Sequence, residues 1–94
     1  MTDVVILRRW RAAPRSVIAL FPAMPGEHGR INSYEHVGQH GEADYLRVVA
    51  QTEPVDVGDP EAQDLLAELR AIGYDTLVRR RRAGDSGDYR QGPR

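Results

Sequence analysis

Apolar residues gather into two early runs, Val4–Trp10, which turns basic towards its end, and Ser16–Phe21. β-branched and aliphatic side chains at this density favour strands, and Ala13-Pro14 breaks the pattern where a hairpin would turn. The stretch PAMPGEHGRINS that follows holds two prolines and two glycines, and reads as a surface loop. Ser33–Val37 extends briefly as a third strand, after which Gly38 and Gly41 allow backbone angles that other residues resist. Asp44 is a candidate N-cap with Tyr45, Val48 and Val49 at helical spacing, giving a short helix to about Gln51, although an alternating strand fits the same residues. Asp59-Pro60 is a stronger start signal, since Asp caps and Pro is preorganised for the first helical position. Leu65, Leu66, Leu69 and Ile72 then share a face, and Gly73 closes the last turn. The expected long helix is Asp59–Ile72, with Leu65, Leu69 and Ile72 packed on Val5, Leu7 or Ile18. Tyr74–Arg79 alternates as a returning strand. The pattern predicts an α+β domain over 1–82, a three- to four-stranded sheet covered by one long helix and one short helix. Residues 83–94, nearly devoid of apolar side chains, are expected to form a flexible tail.

Composition limits what such a domain can be. At 94 residues there is room for one domain, and a chain this short buries only about 60 to 65% of the surface its unfolded form exposes. Homo-oligomerisation would enlarge so small a core, and Trp10 and Phe21, each closing an apolar strand, are expected in the core or at a dimer contact. Cysteine is absent, which removes disulfides and thiolate metal sites. The arginines of the first segment follow its apolar run, and no stretch approaches the ~18 apolar residues of a membrane span, so a cytoplasmic protein away from membranes is expected. The net charge of -1 argues against a general nucleic-acid binder. The charges are nevertheless segregated. Arg8, Arg9, Arg11 and Arg15 lie near the start and Arg79–Arg82 near the end, while 53–68 is acidic. If the last strand lies parallel beside the first, both clusters emerge at one sheet edge as a concentrated positive field. The alternative is a solvated edge that discourages aggregation.

Candidate chemistry concentrates in Asn32–Tyr45, NSYEHVGQHGEADY. His36 and His40 are four apart, with His28 a third imidazole, but Gly38 between them spoils the helix that would align metal ligands, and the order is not HExxH. No metal and no cofactor are expected. Acid/base chemistry is available, with Glu35 or Asp44 orienting an imidazole, yet no nucleophile elbow and no glycine-rich phosphate loop occurs. Ligand binding without chemistry fits the run better, because glycines admit a ligand to backbone N–H groups while His and Tyr stack on or hydrogen-bond a base or sugar. The expected contacts are His36, Gly38, Gln39, His40 and Gly41, with Tyr34 or Tyr45 as a stacking face. Arg30 and one arginine cluster would meet phosphate.

VIALFP at 17–22, SYEHVGQHGEADY at 33–45 and the closing ELRAIGYDTLVRR resemble a group of small phage and bacterial proteins for which no activity is established. The resemblance spans Val17 to about Arg81, HVGQHG being its specific part, and implies a mobile-element context. By analogy of size and polar run, phage proteins that capture nucleotide immune signals are a suitable functional class. The expected function is therefore binding of a phosphorylated, nucleotide-derived molecule in the host cytoplasm. Two competitors stand beside it: a small hydrolase or lyase with His36 and His40 as acid and base, and a protein- or nucleic-acid-binding accessory protein that uses its arginines.

Overall fold

The computed structural model describes residues 2–36, 38–82 and 85, without the side chain of His28. In chain order the elements are β1 (Asp3–Trp10), β2 (Val17–Pro25), a single 3-10 turn (Glu27–Gly29), β3 (Ile31–Glu35) and β4 (Gln39–Ala43), followed by α1 (Tyr45–Gln51), β5 (Thr52–Pro54), α2 (Pro60–Ala71) and β6 (Thr76–Val78). The class is α+β as expected, but the sheet has six strands rather than three or four, in the order β4-β3-β2-β1-β5 with β6 parallel to β1. The two strands that the apolar pattern hides are β4, an exposed edge strand reading QHGEA, and β5, only three residues long. The expected tail 83–94 lies outside the described residues except for Asp85.

The sheet is covered on both faces, which is why VIALF reads as an unbroken apolar run rather than an alternation. Val5, Leu7, Val17, Ala19, Phe21 and Tyr34 face α2 and pack with its Ala62, Leu65, Leu66 and Leu69. Ile6, Ile18, Leu20 and Ile31 face the other way, onto Tyr45 and Val48 of α1. Ile18 is therefore not a partner of the long helix. Phe21 is wholly buried, and Trp10 is half-buried with its indole N–H donating to Glu35 Oε1 at 3.2 Å.

Both helices begin as their caps dictate. The Asp44 carboxylate accepts from the Arg47 N–H, and that of Asp59 accepts from Glu61 and Ala62 with Pro60 in the first turn. At the end of α2, Gly73 takes φ 114°, its N–H bonds to Arg70 O and the Tyr74 N–H reaches back to Leu69 O at 3.0 Å. That is a left-handed glycine closure, and it throws Ile72 off the buried face to 53% exposure.

Strand β1 has a divided outer edge. β6 pairs with it from Asp3 to Val5, whereas β5 pairs from Arg8 to Trp10. The Arg79 N–H still donates to Val5 O, but Ile6 and Leu7 stand between the two partner strands.

Truncating Leu69 should leave a cavity between helix and sheet and cost about 2 to 4 kcal/mol, whereas Ile72→Ala should fall within about 0.5 kcal/mol of the parent. Urea midpoints measure both. Equal losses at the two positions would mean that Ile72 is packed.

Candidate functional site

The hairpin β3–β4 turns between Glu35 and Gln39, with Gly38 at φ 68°, a left-handed position that suits glycine. Gly41, by contrast, is an extended strand residue with room for a Cβ, so its place in the site does not rest on backbone freedom. Tyr34 and His40 are directly opposed on the two strands and both project towards α2, their rings meeting edge to face at 4.9 Å between centroids.

A hydrogen-bonded cluster grows from this pair. The Tyr34 hydroxyl donates to Glu68 Oε1 at 2.7 Å and accepts from the Gly38 N–H at 2.9 Å. Glu68 Oε2 holds His36 Nδ1. On the far side of Tyr34, His40 Nε2 lies 3.2 Å from the Tyr74 hydroxyl, and Tyr74 in turn stacks on Phe21 at 5.1 Å. Five segments thus converge: β3, its turn, β4, α2 and the closure after α2. The His36 side chain is 56% exposed.

Of the residues expected to form a site, Tyr34, His36, Gly38 and His40 come together. Gln39 and Gly41 alternate onto the opposite face of β4, beside Glu35 and Ser33. Arg30 precedes β3, at the far end of that strand from His36. Tyr45 is a core residue of α1, 2% exposed, rather than a stacking face. Glu68 and Tyr74 were not legible as site residues, though Glu68 stands seven after Glu61 along the stripe that borders Leu65, a row of carboxylates beside a buried face. The side chain of His28 is not described. Among the described residues no three His, Asp or Glu side chains gather around a metal position.

The arginines take four different situations. Arg8 is buried, and its guanidinium donates to Thr52 Oγ1 at 3.0 Å and to the carbonyls of Val49 and Thr52 at 3.2 and 3.0 Å, joining the Thr52 N–H on Val49 O at the end of α1. Burial, and then the charge of Arg81, hold it below its ordinary pKa. Arg9 points to the opposite face and pairs with Asp59 and Glu61, each at 2.8 Å, with the Glu61 hydrogen bond the main cause of its raised pKa. Arg79 grips Asp85. Arg80 and Arg81 are exposed.

Arg79, Arg80 and Arg81 line one side of a cleft of about 650 Å³ that opens where the outer edge of β1 is divided. Ile6, Leu7 and Arg8 come from β1, and Pro54, Val55 and Val57 form the opposite side beside the Asp56 carboxylate. The parallel approach of β6 brings Arg81 into electrostatic range of Arg8, as expected for two clusters at one edge. No helix among the described residues is long and apolar enough to cross a membrane. No protein-family model, curated protein or solved structure matches this chain.

Replacing His36 and His40 together with alanine should shift the melting temperature by no more than a few degrees, because both rings are exposed and exposed pairs contribute little. Tyr34→Phe should cost more, about 1 to 3 kcal/mol, since Glu68 loses a charge-assisted bond and the Gly38 N–H its acceptor. Thermal unfolding followed by circular dichroism separates the two; the reverse order would make the histidines structural.

Proposed function

We propose that this protein binds a small phosphorylated molecule, nucleotide-derived, in the arginine-lined cleft, and releases it unchanged. The observation that carries the reading is the joining of an apolar lining with Arg79, Arg80 and Arg81 in one opening at the edge of β1. Its volume lies within the range of small-molecule sites, and such sites combine mostly apolar walls with a few directed polar groups. Valine and proline side chains suit a base, the Asp56 carboxylate accepts from sugar hydroxyls, and guanidinium groups pair with phosphate oxygens in a planar, bidentate manner. In a phage, capture of this kind would withdraw a signalling nucleotide from host defence.

Native mass spectrometry of the purified protein, followed by denaturation and identification of what is released, tests the reading directly. An intact phosphorylated compound at stoichiometric yield is the expected result. With AMP as a probe in calorimetry, Arg80→Ala combined with Arg81→Ala should weaken binding at least tenfold, the equivalent of losing one charge-assisted bond of roughly 1.5 to 3 kcal/mol. Both residues are exposed, but Arg81 also hydrogen-bonds the buried Tyr45, so circular dichroism of the double variant checks that the fold is kept. Undiminished affinity in the double variant would exclude the cleft.

The bond between Glu68 and His36 favours a second reading, acid/base chemistry at the hairpin cluster. A carboxylate that fixes the imidazole tautomer leaves the other nitrogen to take a proton, and His40 beside Tyr74 can supply one. Product accumulation from a candidate substrate, abolished by Glu68→Gln and by His36→Ala alike, would favour catalysis over capture. Recovery of unchanged ligand from all three proteins would exclude it.

A further inference from the structure

Asp85 comes from a polar stretch of the sequence, yet its side chain is only 7% exposed. Its carboxylate is seated as anions are seated in receptors. The Arg79 fork spans both oxygens, Nη2 to Oδ1 at 2.8 Å and Nη1 to Oδ2 at 3.1 Å. The Arg82 backbone N–H donates to Oδ2 at 2.6 Å, and the Tyr45 hydroxyl lies 3.4 Å from the same oxygen. Burial acts to raise the carboxyl pKa, but the Arg79 and Arg82 hydrogen bonds outweigh it and leave the group below its usual range.

Three features make this seat more than a local ion pair. Arg79 lines the cleft as well as gripping Asp85, so the seat and the cleft share a wall. Arg81 acts on both Arg8 and Tyr45, so positive charge accumulates around the seat. Finally, the donors form a fork, an amide and a phenol around one position, a set able to meet three acceptor oxygens where a carboxylate offers two.

We infer that the recess filled by the Asp85 carboxylate is an anion subsite of the cleft, and that its ligand is the terminal phosphate of a phosphomonoester, which takes the place of Asp85. This rests on the reading that the cleft takes a phosphorylated molecule. Asp85 competes as a tethered group at an effective concentration in the millimolar range, so a displacing anion must bind the same donors better. A phosphomonoester does so, with three terminal oxygens and a charge approaching -2 at neutral pH. A diester presents two free oxygens and one charge, as Asp85 itself does, and gains nothing in the exchange.

Calorimetry at pH 8 and fixed salt, with AMP as the monoester and 3′,5′-cyclic AMP as the diester, tests the inference on the full chain. The wild-type protein should bind AMP at least tenfold more tightly than the cyclic form. Asp85→Ala should tighten AMP binding about tenfold by removing the competitor, and Asp85→Asn, which keeps the size and one acceptor, should move it in the same direction. Should both variants lose their folded circular dichroism, the wild-type amide spectrum decides instead: the Arg82 N–H resonance should move on saturation with AMP. AMP binding that ignores Asp85 substitution, or an Arg82 signal that stays still at saturation, overturns the subsite and leaves the cleft reading intact. Absence of AMP binding to wild type and Asp85 variants alike overturns both.

Discussion

The divided outer edge of β1 is the constraint on which the rest of this structure depends. A strand offers one row of hydrogen-bonding groups on each side, and β1 gives its inner row to β2 and shares its outer row between β6 and β5. Since β5 follows α1 directly and β6 follows α2, that shared edge places each helix over its own face of the sheet. It also leaves Ile6 and Leu7, paired to β2 on the inner side and buried in the two cores, without a partner strand in register on the outer side. The segments that leave β5 and β6, residues 55–57 and 79–81, then line the cleft with Pro54 and Val78, so the topology sets where those loops meet.

Buried Arg8 is what this arrangement requires at the junction. The end of α1 lies against the sheet at the wholly buried Thr52, and a carbonyl left unpaired there would cost about 1 to 3 kcal/mol. A guanidinium on β1 meets Val49 O, Thr52 O and Thr52 Oγ1 at once, while the Thr52 hydroxyl donates to Val48 O. A shorter or less branched donor would satisfy fewer of these groups. Arg8 is thus a structural residue inside what reads, along the chain, as a basic cluster.

Much of the fold was legible because local signals agreed with tertiary structure. Asp59-Pro60, Leu65, Leu69 and Gly73 each act within a few residues of themselves, and α2 formed between them as the spacing predicts. What stayed hidden depends on partners far along the chain. Strand β4 is polar because it is an exposed edge held by backbone bonds to β3, and β5 is a strand only because β1 lies beside it. The assignment of Ile18 to one face or the other could not be read either, since VIALF is apolar throughout and gives no alternation. Among candidate site residues, the aromatic and imidazole side chains of the hairpin stood out by type. Glu68 and Tyr74 did not, because carboxylates and tyrosines on an amphipathic helix and its exit are ordinary until a hairpin brings Tyr34 and His40 against them.

The arginines show how little a charge run by itself specifies. Four neighbouring positions at the start of the chain and four near its end share one side chain, yet alternation along β1 sends Arg8 under α1 and Arg9 across to the N-terminus of α2. Arg9 answers the Asp59 and Glu61 carboxylates there, so its charge is neutralised within the fold. Arg8 answers carbonyls, which accept its hydrogen bonds without cancelling its charge. Burial first, and then the nearby charge of Arg81, hold the Arg8 pKa below its ordinary value. Among the described residues Asp85 answers Arg79, while Arg80, Arg81 and Arg82 are exposed. Like charges held together at one edge concentrate a local positive field that the chain's net charge of -1 does not reveal.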